Sequence, residues 1–144
     1  MRAMSFLFFA WAAAVMPAAQ ASPDLPPTER QLREACSFDA AGVRECLQKR
    51  LADSETTLRS AEVALKERLS TWDVEPKYAA LAKNRATEAA SSFARYRKVQ
   101  CGFSASLGGS AIGNALEMRR LACAAELNLQ RAQALRAAAA ELAP

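Results

Sequence analysis

Between Val43 and Trp72, apolar and small residues return every three or four positions: Val43, Leu47, Leu51, Ser54, Leu58, Ala61, Leu65, Leu69 and Trp72. That interval is the repeat of one face of an α-helix, and sustained this long it predicts a helix of about 30 residues. The intervening positions are mostly charged or small, among them Arg44, Lys49, Glu55, Arg59 and Glu62, and Asp73 to Pro76 ends the run. Composition agrees. Alanine takes 34 of the 144 positions, whereas valine and isoleucine together take six. A β-sandwich or barrel needs many β-branched residues, so the fold class is all-α.

The remaining elements follow from local signals. Thr28 with Gln31 three residues on forms a capping-box pattern, predicting a short helix to about Cys36. Ser37 to Gly42 reads as a turn. A second long helix is expected from near Lys77 to around Gln100, with Tyr78, Leu81, Ala82, Ala89, Phe93 and Tyr96 on one apolar face. Arg95, Arg97 and Lys98 would occupy its last turns, where cations suit the helix dipole. Cys101 to Gly113 holds four of the five glycines and reads as a loop. Asn114, with Glu117 three residues on, is expected to cap a last helix whose apolar face includes Leu116, Leu121, Leu127, Ala134, Leu135 and Leu142. The expected architecture is a small bundle of three long helices plus a short N-terminal one, antiparallel where connections are short. Much of its core is alanine, so cross-links have a structural purpose.

Residues 1–21 read as a signal peptide: a basic start at Arg2, an apolar run to Met16, and Ala19-Gln20-Ala21 as the cleavage signal. The run is too short for a membrane span, and no later segment qualifies. Residues 22–27 form a proline-rich leader, and 28–144 the helical domain. Losing Arg2, the one charged residue of 1–21, takes the formal charge from +4 to +3. So small a balance, without a basic stripe interleaved with aromatics, gives no footing for nucleic acid. The expected location is secreted or periplasmic.

Such a compartment makes the even set Cys36, Cys46, Cys101 and Cys123 a disulfide framework. Three connectivities are open. A continuous helix over 36–46 would hold its ends about 15 Å apart, beyond the roughly 4.4–6.8 Å of a disulfide, so a Cys36–Cys46 bond needs the break at 37–42. The local pairs, with Cys101 joined to Cys123, are favoured. A metal site is not expected, because there is no histidine and no Cys-x-x-Cys pair. Nor is a cofactor or catalytic residue: no histidine can activate a serine, and no phosphate-binding glycine motif occurs.

Phe93-x-x-Tyr96-Arg97-x-x-x-Cys101-x-Phe103, then Gly108-Gly109-Ser110, then Met118-Arg119-Arg120-Leu121-Ala122-Cys123 and Arg131-x-x-x-Leu135 form a pattern. It resembles the LprI-type lysozyme inhibitor domain, which is small, exported, helical and cysteine-containing. The similarity covers roughly residues 36–135. Phe93 stands where that family usually has tryptophan, and Asn128 near a frequent threonine. Phe93, Tyr96, Arg97 and Arg131 correspond to the family's motif core.

The resemblance implies a lysozyme or other muramidase as partner. Gly108, Gly109 and Ser110 are the candidate inhibitor loop: a loop pinned by a disulfide loses little entropy on docking into a cleft, and its serine and amides suit the carboxylate pair of a glycosidase. Arg97, Arg119 and Arg120 are candidate partner contacts. The structural expectation competes at each position. Phe93 and Tyr96 would be core or edge-of-core aromatics, Arg97 would pair across the bundle, and Arg119 and Arg120 would bridge to Glu117 or Glu126. A +3 inhibitor gains no long-range steering toward a basic lysozyme, so binding would rest on local complementarity. The rival function is a non-catalytic envelope structural or interaction module.

Overall fold

The structure, a computed structural model, describes residues 25–110 and 113–142. The expected signal peptide and the first half of the leader lie outside the described residues. Four helices follow in order: α1 (Glu29–Cys36), α2 (Val43–Thr71), α3 (Pro76–Ser106) and α4 (Asn114–Glu141). No strand occurs among the described residues.

α1 starts as read. The Thr28 hydroxyl accepts from the Gln31 amide and Gln31 Oε1 accepts from the Thr28 amide, closing the capping box. Cys36–Cys46 and Cys101–Cys123 are the disulfides, with Cα separations of 5.7 and 5.5 Å, so the favoured local pairs are those formed. The first spans the turn at 37–42, where Gly42 takes φ +101 and opens α2.

α4 is the central element. Leu121, Ala122, Cys123, Ala124, Ala125, Asn128, Ala132, Leu135 and Ala139 are buried on it. Small side chains let neighbours approach closely, and α2 packs along it with Leu47, Leu58 and Ala61. The α2 stripe is therefore core, as its spacing predicts, although Trp72 at its end is exposed. α1 covers the top of this pair with Leu32 and Cys36.

α3 departs from expectation twice. It continues to Ser106, not Gln100, so Cys101 and Gly102 are helical and the loop shortens to 107–113. Glycine inside a helix costs about 1 kcal/mol. Here the Cys101–Cys123 bond and a hydrogen bond from Ser104 Oγ to Glu29 Oε2 (2.6 Å) fasten the last turns. Arg95, Arg97 and Lys98 consequently sit well before the helix end. Second, its expected apolar face is largely solvent-facing. Tyr78, Leu81 and Tyr96 are exposed and only Cys101 and Ser104 are fully buried, because α3 packs on α4 while scarcely meeting α2. Smaller corrections apply to α4: Ala134 is exposed, and Asn114 begins the helix without a side-chain capping bond.

Candidate functional site

The segment from Leu107 to Gly113 joins α3 to α4. Its first residues unwind the helix. The Leu107, Gly108 and Gly109 amides donate to the carbonyls of Ser104, Ala105 and Ser106 at 3.2, 3.0 and 3.2 Å. Those donors are thus spent internally, which narrows the expected donor-rich loop. Ser110 is exposed, and its amide and hydroxyl make no hydrogen bond among the described residues. Gly109 adopts φ +62 and is open to solvent. Gly108 is a glycine for another reason: a Cβ there would collide with Leu116 Cδ2 and stand 3.2 Å from the Ala105 carbonyl oxygen. The loop is therefore seated on α4 by Leu116, and α3 is tied to α4 nearly two turns farther back by Cys101–Cys123.

The three nominated arginines have internal partners. Arg119 runs beside the loop, its Cδ 3.8 Å from the place of a Gly108 Cβ, and its guanidinium faces Glu29 at 3.6 Å. Glu29 also pairs with Arg33 at 3.2 Å and accepts from Ser104, while the Glu29 amide donates to Glu126 Oε2 at 2.9 Å. This knot at the first turn of α1 joins three helices, with Glu126 answering the positive helix end. Arg120 forks onto Glu117 at 2.8 and 2.7 Å. That hydrogen bond, with the charges of Arg120 and Arg44, outweighs slight burial and holds the Glu117 carboxyl below its ordinary range. Glu117 was an expected partner of this pair; Glu29 was not.

Arg97 donates to the side-chain oxygen of Asn128, an amide rather than a carboxylate. Asn128 Nδ2 donates to Ser54 Oγ at 3.0 Å, and Ser54 Oγ donates to the Leu51 carbonyl at 2.7 Å. Both Asn128 and Ser54 are fully buried. Phe93 packs against the cluster of Leu58, Ala61, Ala132 and Leu135, with the guanidinium carbons of Arg97 and Arg131 at 5.9 and 5.7 Å from its ring centre. Tryptophan is a better cation acceptor than phenylalanine, so the same contact suits either.

These groups bridge a groove between α2 and α3, floored by α4. A hollow of about 590 Å³ lies toward Arg97, Lys98 and Arg120, and one of about 290 Å³ toward Leu65, Leu69 and Leu135. Arg120, Ala124, Arg131 and Leu135 of α4 recur at four, seven and four residues, one helical face, so both hollows belong to the same groove.

The motif residues Phe93, Arg97 and Arg131 therefore gather at the bundle's centre, about the Asn128 relay, and the glycine loop lies apart at the α3–α4 end. Tyr96 shares the motif but points to solvent. Sequence reasoning missed Glu29, Ser104 and Asn128 as organising residues. Ser54 was the available signal, a polar residue on an otherwise apolar stripe that must find a buried partner.

Among the described residues no cluster of three or more Cys, Asp or Glu stands ready to hold a metal ion, and no helix is long and apolar enough to cross a membrane. The family model described as Lysozyme inhibitor LprI matches residues 34–135. No curated protein and no solved structure matches.

Proposed function

The chain belongs to the LprI lysozyme inhibitor family, and on that basis we propose that the mature protein is exported, binds a lysozyme stoichiometrically and occludes its substrate cleft with the 107–113 segment. Two disulfides fit an oxidising compartment outside the cytoplasm. The observation that carries the reading is the loop's construction. Gly108 is wedged against Leu116, a disulfide ties α3 to α4 nearly two turns before it, and Ser110 is exposed with no hydrogen bond among the described residues. A segment so held loses little conformational freedom on docking, and its hydroxyl and amide suit a carboxylate pair. No acidic residue occurs between Glu88 and Glu117, so the loop approaches such a site without like-charge repulsion.

Arg119 flanks the base of the segment and would add positive potential while keeping its internal partner. Binding relies on this short-range fit, because the mature chain's formal charge of +3 offers no steering toward a basic enzyme. The test is lysis of a peptidoglycan suspension by lysozymes of several classes, with the oxidised mature protein added near equimolar ratio. Slowed lysis is expected, and Ser110→Trp, at an exposed position, is expected to relieve it without lowering the melting temperature. Full lysis with every class would refute the proposal and favour an envelope-interaction module.

A further inference from the structure

Tyr96, Val99, Phe103 and Leu107 follow one another along α3 and its cap at spacings of three, four and four. They are 52, 67, 57 and 60% exposed. Single exposed apolar side chains are ordinary on any protein. Four in succession on one line of a helix are not, since that spacing gathers them into a ridge about 17 Å long. The ridge lies on the flank of α3 turned away from Cys101, which bonds to α4, and from Ser104, which bonds to Glu29 of α1, and it runs directly into Gly108 and Gly109.

We propose that this ridge is the principal docking face for the lysozyme, continuous with Gly108, Gly109 and Ser110, which enter the cleft; the inference rests on the inhibitor reading above. Area decides the need for it. A stable complex buries about 800 Å² per partner over some 20–30 residues. The seven residues 107–113 supply a fraction of that, and the ridge is the adjoining surface able to supply more. Its two aromatics are of the kind that anchor interfaces.

Charge selects the occupant. Arg95 beside the ridge has no ion-pair partner among the described residues, and the whole stretch from Ala89 to Leu116 lacks an acid. A second copy laid on the ridge would set Arg95 against its own kind on a surface with no carboxylate to answer it. The fitting partner is an apolar protein surface beside carboxylates, and a glycosidase cleft carries a carboxylate pair.

The experiment uses the oxidised mature protein and a lysozyme that it inhibits. Val99→Glu and Phe103→Glu alter exposed helix positions and should leave the melting temperature within a few degrees. Each is expected to weaken binding at least 30-fold by calorimetry, while Tyr78→Glu, at the far end of α3, changes it less than threefold. If the wild type inhibits and both ridge variants bind as tightly as it does, the ridge is overturned and the inhibitor reading stands. If the wild type binds no lysozyme, both fall. Sedimentation showing a dimer that Phe103→Glu dissociates would assign the ridge to a second copy and overturn the inference. So would ridge-dependent binding to phosphatidylglycerol vesicles with unchanged lysozyme affinity.

Discussion

Asn128→Ala tests the relay that joins α3, α4 and α2. The side chain is fully buried, accepts from Arg97 and donates to Ser54 Oγ, which in turn donates to the Leu51 carbonyl. The lost bond to a guanidinium would be worth roughly 1.5–3 kcal/mol if fully desolvated, but Arg97 is only half-buried and can turn to water, so about 1 kcal/mol is retained for it. The neutral bond to Ser54 contributes about 1 kcal/mol, and the vacated space about 1 more. The sum is about 3 kcal/mol, or a fall in melting temperature of roughly 10 °C for a domain this size. Urea and thermal unfolding of the oxidised protein, followed by circular dichroism, measure it. Ser54→Ala should couple to it: the double variant is expected to cost about 1 kcal/mol less than the two single costs added, because each single change strands the other's partner. A single-variant cost below about 0.5 kcal/mol, or strict additivity, would refute the assignment of the relay as the tie between helices.

Replacing Cys101 and Cys123 together by alanine is expected to cost about 3 kcal/mol from the loop-closure entropy of a 22-residue separation, and the Cys36/Cys46 pair slightly less for its separation of 10. Equilibrium unfolding checks both, and a loss under 1 kcal/mol in either would contradict their role as staples of a thin core. Glu117 predicts a pH dependence. Its folded carboxyl titrates below the unfolded one, so the stabilisation is complete above the unfolded pKa and disappears as pH falls through the folded value. The pair with Arg120 is substantially exposed, so the effect is small, under about 1 kcal/mol. Glu117→Gln should flatten the acid limb of a stability–pH curve and leave the region from pH 6 to 9 parallel to wild type; an unchanged acid limb would remove the assignment.

What was legible in the sequence is what local chemistry decides. Thr28 and Gln31 cap each other within one turn, so α1 starts where its sequence says. The α2 stripe is buried where it meets α4 because thirty residues of consistent spacing leave no other amphipathic solution. The end of α3 was not legible. Gly102 reads as a breaker, yet its helical penalty of about 1 kcal/mol is overcome by a disulfide to Cys123 and a hydrogen bond to Glu29, partners 21 and 73 residues away. The same holds for the arginines. Arg120 finds Glu117 one turn back, which spacing suggests, whereas Arg119 finds Glu29 on another helix, which no local pattern encodes.

The face of α3 is the deeper case. Periodicity states which residues share a side of a helix; it does not state what covers that side. α4 is lined with alanine, and α2 presses closely along it over most of its length. That pairing consumes the broad face of α4 and leaves α3 a narrower flank, reached by Cys101, Phe93 and Arg97. The Arg97–Asn128 and Phe93 contacts fix the rotation of α3 about its own axis. With that rotation set, Tyr96 and Phe103, each one position before the inward-bonded Arg97 and Ser104 and so about 100° round the helix from them, cannot also face inward. The motif residues thus hold α3 in the orientation that leaves its aromatic line in solvent. A family signature of this kind marks packing, and the packing in turn determines which surface is left for a partner.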